Sequence, residues 1–193
     1  MNTQEFLTRF SLSPLSDQKK ADSSRFKPNE HSTSAAVLVP LIEQDGELHI
    51  VFTTRAKHLR HHPGQVSFPG GKSDETDQSL IDTALRESYE EIGLLPELVT
   101  PIGWLPTHHT ITNFTIYPLV GLIKKEPEFN INYDEVNDVF FAPLNHFITR
   151  QTHSTISPTF NNSHHKVHFM PYQGRMIWGA TAAILDKLTL HFE

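Results

Sequence analysis

The chain has 193 residues, no cysteine and a formal net charge of −6. That length suits one domain that buries its own core without a covalent staple. Without cysteine there is no disulfide, zinc–thiolate site or thiol nucleophile, and the acidic balance argues against broad nucleic-acid binding.

Residues 1–32 read as a polar N-terminal arm or tail, in which Phe6, Leu7 and Phe10 form at most one short amphipathic turn. The opening MNTQEFLTRFSLSPLSDQKK lacks the continuous apolar core of a signal peptide. No apolar run approaches the roughly 20 residues of a membrane span. A soluble cytoplasmic protein without a membrane partner is the expectation. From residue 33 to 193 the pattern is that of a single folded unit. SAAVLVPLIE and ELHIVFTTR are strand-like runs around a QDGE turn. KHLRHHPGQ is a basic loop, and VSF a short extended piece stopped by Pro69-Gly70-Gly71. From about Asp77, Leu80, Ala84, Leu85, Ser88 and Ile92 recur at helical spacing, and Gly93 is a natural stop. LVTPIGWLP, FTIYPLVGLIK and VNDVFFAPL are further strands. HKVHFMPY and RMIWG suggest a hairpin around Gln173-Gly174, and ATAAILDKLTLHF closes as an amphipathic helix. The expected class is α+β: a mixed β-sheet flanked by helices packed on its faces.

The central helix carries the chemistry. Glu87, Glu90 and Glu91 share a side roughly 100° wide, beside the face that Leu80, Ala84 and Leu85 bury. Each like-charge pair costs about 0.2–0.5 kcal/mol on an exposed helix. Arg86 offsets one charge, not three. Hard divalent cations, which prefer oxygen ligands, would offset the rest. A bare E-x-x-E-E is more often a solvated charged face; the preceding Pro-Gly-Gly turn, which lets backbone approach a ligand closely, the acidic loop and Arg86 just before the first glutamate favour the site.

These residues resemble the Nudix hydrolase family, whose box reads G-x5-E-x7-R-E-U-x-E-E-x-G-U, with U aliphatic. Arg86-Glu87-Ser88-Tyr89-Glu90-Glu91-Ile92-Gly93-Leu94 fills its second half. Ser88 departs from an aliphatic slot. The first half is one residue longer, so its acidic slot falls on Asp77, or on Gln78 counting back from Arg86. VFTTRAKHLRHHPGQVSFPGG, residues 51–71, is similar to the motif of the coenzyme A diphosphatase branch, L-L-T-x-R-S-x3-R-x3-G-x3-F-P-G-G. Thr53, Arg55, Arg60, Gly64, Phe68, Pro69, Gly70 and Gly71 match it in register, and the longer first half also suits that branch.

The resemblance implies an α/β/α sandwich with a catalytic loop-helix-loop. It implies hydrolysis of the diphosphate bond of coenzyme A or its derivatives, with Mg2+ or Mn2+ as cofactor. Glu87, Glu90 and Glu91 would be metal ligands, with Gly71 contributing a backbone group. Arg86 would orient the glutamates. Glu135 is a downstream base or extra ligand, or else a strand-edge surface charge. Arg55, Arg60, Gly70 and Gly71 would bind substrate. Asp74, Glu75 and Asp77 could add outer-sphere metal contacts but read more readily as solvated loop acids, with Asp77 favouring the helix N-terminus. Neighbouring residues do not share a strand or helix face, so His61-His62, His108-His109 and His164-His165 are not expected to form the metal site. His61 or His62 could reach substrate from the motif loop, THHTITNFTIYP could line a pocket, and Trp104 and Phe114 are candidates for stacking on adenine. The partner is then a small nucleotide-like molecule; monomer and homodimer both stay open. Two alternatives remain: the same machinery acting on ADP-ribose, NADH or another nucleoside diphosphate derivative, and a non-catalytic Nudix-fold ligand sensor.

Overall fold

Two runs of apolar residues, broken by Asp45-Gly46, form the central hairpin of the molecule. In the computed structural model, residues 1–12, 32–157, 159–160, 163–164 and 166–192 are described. The hairpin joins β1 (Thr33–Gln44) to β2 (Glu47–Arg55). Asp45 and Gly46 both take positive φ, 50° and 78°, which suits the right-handed twist of the flanking strands. β1 is buried on both faces, and its inner residues read as a continuous apolar run.

The mixed sheet runs in the order β3 (Val66–Ser67), β2, β1, β7 (Phe114–Ile123) and β5 (Val99–Trp104). β1 and β7 are parallel; the other pairings are antiparallel. β4 (Gly70–Lys72) adds to β1, β6 (His108–His109) to β7, and β8 (Val136–Pro143) to β2. Outside this sheet, β9 (Ser154–Ile156) pairs with β12 (Val167–Tyr172), which forms a hairpin with β13 (Arg175–Trp178). β10 (Thr159–Phe160) pairs with β11 (Ser163–His164).

Alternation along β1 splits the core. Ala36, Leu38 and Ile42 face one way, with Leu119 and Ile123 of β7. There they meet Ala84 and Ile92 of α2 (Leu80–Ile92). Val39 and Leu41 face the other way. They meet α1 (Thr3–Leu12), α3 (Leu144–Ile148) and α4 (Gly179–Thr189) through Phe6, Phe147, Ile184 and Leu188. The result is the expected mixed sheet with helices on both faces. α1 is a full helix rather than a single turn, and Phe6 is wholly buried. No helix among the described residues is long and apolar enough to cross a membrane.

α2 begins three residues later than its periodicity suggests. Ser79 caps it: its hydroxyl accepts from the Asp82 N–H at 3.2 Å and donates to the Asp82 carboxylate at 3.0 Å. Gly93, at φ 69°, ends it, with its N–H donating to the Tyr89 carbonyl at 2.8 Å.

Candidate active site

The buried stripe of α2 consists of Thr83, Ala84, Ser88, Glu91 and Ile92. Ser88 replaces an aliphatic residue without leaving a polar orphan, because its hydroxyl donates to the Ala84 carbonyl at 2.6 Å. Glu91 is the anomaly. It lies in the packed stripe itself, not beside it, and is 4% exposed. The side chains of Glu87 and Glu90 are 16% and 50% exposed. The three carboxylates thus occupy graded environments rather than one shared face.

Glu91 Oε2 is sealed from solvent and has no hydrogen-bond partner among the described residues. Burial pushes this carboxyl up to about 8; Glu135 adds repulsion, Arg55 opposes it, and Glu87 adds more. Burial also raises Glu87, against the pull of Arg86.

Arg86 organises the rest. Its Nε and Nη2 donate to the two oxygens of Asp77 at 2.8 and 3.0 Å. Nη1 donates to Glu87 Oε1 and to Glu90 Oε2, both at 2.9 Å. The Asp77 side chain is 4% exposed and also accepts from the Thr83 hydroxyl at 2.8 Å. Asp77 is therefore not a solvated loop acid but the buried counter-ion of Arg86. Arg86 beside it holds its carboxyl well below the usual carboxylate range, and the same pairing raises Arg86. A bidentate fork of this kind fixes orientation as well as charge.

The glycine pair of β4 brings strand against helix. Gly70 lies opposite Val37, and Gly71 opposite Ala36. At Gly70, φ is 149°, and a Cβ would meet the Ala36 carbonyl oxygen and come within 2.5 Å of Val37 Cα. At Gly71 a Cβ would overlap the Glu87 carboxylate, coming within 2.5 Å of its Cδ.

Glu135 precedes β8 and is exposed; its carboxylate accepts from Asn132 Nδ2 at 3.4 Å. Its charge reaches both Glu91 and Glu87. Arg55, at the end of β2, is partly buried, and its Nε has no hydrogen-bond partner among the described residues. Arg55, Gly70 and Gly71 line a cavity of about 1140 Å3. Arg60 is exposed on the motif loop and stands outside that wall. His62, His108, His109 and Phe114 line the cavity, whereas His61 and Trp104 do not. His165 and the side chain of His164 lie outside the described residues.

Among the described residues no three acidic or histidine side chains already surround one point, since Arg86 holds Glu87 and Glu90 by their oxygens. The donor set still suits a hard divalent cation: all-oxygen, graded in burial, with one orphaned buried carboxylate oxygen. Sequence reasoning missed the Asp77–Arg86 pairing and a buried lysine, Lys187 of α4, which is 1% exposed. The available signal for Lys187 was its place between Ile184 and Leu188 in an apolar helix.

The NUDIX domain model matches residues 32–174. The chain belongs to the Nudix hydrolase family. It is 38% identical to the uncharacterized Nudix hydrolase NudL of Pectobacterium atrosepticum over 98% of this chain and 94% of that protein. It is 38% identical, with the same coverage, to the NudL of an Enterobacter species. Among solved structures, a MutT/nudix family protein from Enterococcus faecalis superposes with a TM-score of 0.52 at 14% identity, covering 100% of this chain and 73% of that one. RenU, a Nudix hydrolase of M. smegmatis, does so with a TM-score of 0.51 at 18% identity, covering 60% of this chain and 73% of that one. At these identities the structures speak for the fold. The chain is thus a Nudix hydrolase of NudL type, and members of this family generally use divalent metals.

Proposed function

We propose that this Nudix chain hydrolyses the diphosphate bond of coenzyme A or its derivatives, giving adenosine 3′,5′-bisphosphate and (acyl-)4′-phosphopantetheine. The observation that carries the reading is the cavity. It is lined both by Arg55, Gly70 and Gly71, beside the acidic helix, and by residues of α4, and encloses about 1140 Å3. That is more room than a nucleoside diphosphate alone requires. The match of Thr53 to Gly71 with the diphosphatase motif supports the same substrate.

Glu87, Glu90 and Glu91 would hold Mg2+ or Mn2+, with the backbone of Gly71 alongside. When bound, the metal lowers the pKa of water and polarises phosphoryl oxygens. The protein's own part is positional. Arg86 fixes Glu87 and Glu90 and is itself anchored by Asp77. Gly71 leaves space that any side chain would take from Glu87. Arg55 presents a cation at the diphosphate end of the cavity, where a guanidinium suits phosphate oxygens. Glu135, exposed and within electrostatic reach of Glu91, would take the proton of the attacking water as the bridging P–O bond breaks.

A panel of coenzyme A, acetyl-coenzyme A, NADH and ADP-ribose, assayed with Mg2+ or Mn2+ and with product identification, tests this. Coenzyme A and its thioester should give the highest kcat/KM. A clear preference for ADP-ribose or NADH would reassign the substrate, and binding without turnover of any of them would make the chain a sensor.

A further inference from the structure

One wall of the cavity, away from the glutamates, has a feature that diphosphate chemistry does not use. β6 pairs with β7 so that His108 lies across from Ile116, on the sheet face that packs with Ile184 and Leu188 of α4. Lys187 reaches from α4 and donates to the Thr107 carbonyl at 2.7 Å and the Pro106 carbonyl at 3.2 Å. It therefore ties the helix to the two residues immediately before His108. A buried ammonium spent on two carbonyls is a costly way to hold a loop, so the position of that loop matters.

His108 lines the cavity together with the apolar Val37, Ile116, Ala183 and Ile184 and the polar His109 and His168. Its Nδ1 is shut off from solvent, with no hydrogen-bond partner among the described residues. Among the described residues nothing thus fixes the tautomer, and Nε2 can either donate or accept. Burial, with Lys187 adding to it, pushes the ring down to about 3, so the imidazole is neutral. A neutral ring is poorly suited to a phosphate, which a cation serves better. It is well suited to an amide, which needs one donor or one acceptor. The non-nucleotide half of coenzyme A carries amides along a flexible chain.

We infer that His108 is a specificity-determining residue that hydrogen-bonds an amide of the substrate arm lying along α4, with Lys187 as its positioning residue. The inference rests on reading the cavity as a coenzyme A site. It also sets the direction of the substrate: pantetheine arm against α4, nucleotide phosphates towards Arg55.

Titration calorimetry on the full chain with Mg2+, using 4′-phosphopantetheine and adenosine 3′,5′-bisphosphate as separate probes, tests it. His108→Leu and His108→Phe, both checked by melting, should weaken 4′-phosphopantetheine at least about tenfold and leave the bisphosphate within about twofold. His108→Gln should recover most of the loss. Lys187→Met should reproduce the selective loss, and Lys187→Arg should not. Equal weakening of both probes, no change in either, or no binding of 4′-phosphopantetheine by the wild-type chain overturns the inference. Hydrolysis of coenzyme A is followed in parallel. Turnover with an unaffected His108→Leu variant sinks the inference and spares the function; the selective loss in a chain without turnover does the reverse.

Discussion

Glu91 is a carboxylate in a helix stripe that packing would fill with an apolar residue. Ionising it there is unfavourable, because burial strips the carboxylate of water and Oε2 has no hydrogen-bond partner among the described residues. The consequence for stability has a definite sign. The group ordinarily titrates at 4.5, and burial moves it to about 8 in the folded state. Between those values the folded chain holds a proton that the unfolded chain has released, so stability falls as pH rises. The penalty is absent below 4.5 and complete above about 8. In metal-free protein the melting temperature should therefore drop between about pH 5 and about pH 8. Glu91→Gln should flatten that drop. Mg2+ should raise the melting temperature most at the alkaline end, where the carboxylate is free to bind it. A flat wild-type profile would mean that Glu91 does not carry the penalty.

At the scale of elements, β4 and α2 make one unit, and its two glycines serve different ends. Gly70→Ala would drive a methyl into the backbone of β1; it should lower the melting temperature sharply. Gly71→Ala meets the movable carboxylate of Glu87; it should reduce kcat by an order of magnitude or more while costing less stability. Comparing melting curves with kcat for the two variants checks the split. α2 was legible in the sequence because thirteen residues with a cap and a stop carry a strong period. The hairpin at Asp45-Gly46 was legible from its turn chemistry. α3 and β6, five and two residues long, are too short to show any period, and only their neighbours define them. The Asp77–Arg86 pair escaped because its partners lie nine positions apart, across a loop and a cap. Spacing along a chain says nothing about such a contact until the loop is folded.

For the whole molecule, α1 closes one side of the second core. The Leu48 N–H donates to the Met1 carbonyl at 2.9 Å, and the Thr3 N–H to Glu43 at 2.8 Å. Arg9 donates to the Phe192 carbonyl at 2.7 Å, joining the two ends of the chain. Phe6 is fully buried beside Phe10 and Phe192. Phe6→Ala should cost about 3–5 kcal/mol, read as a shift in denaturant midpoint at unchanged slope. The surrounding polar composition hid this, since one buried ring makes no pattern by itself. The motif half of the site was readable because its chemistry demands particular residues at fixed spacing. The α4 wall was readable only in part: THHTITNFTIYP was expected at a pocket, and His108, His109 and Phe114 line one, but Lys187 reaches the residues before His108 only through the packing of a helix on a sheet.

The most direct test of the account is the rate of coenzyme A hydrolysis by wild type and by Glu91→Gln, each with Mg2+ and with a chelator. The expected result is turnover by wild type with Mg2+ alone, and a loss of about a hundredfold or more in Glu91→Gln, whose fold survives. Metal-independent turnover, or a Glu91→Gln variant as active as wild type, would contradict the account.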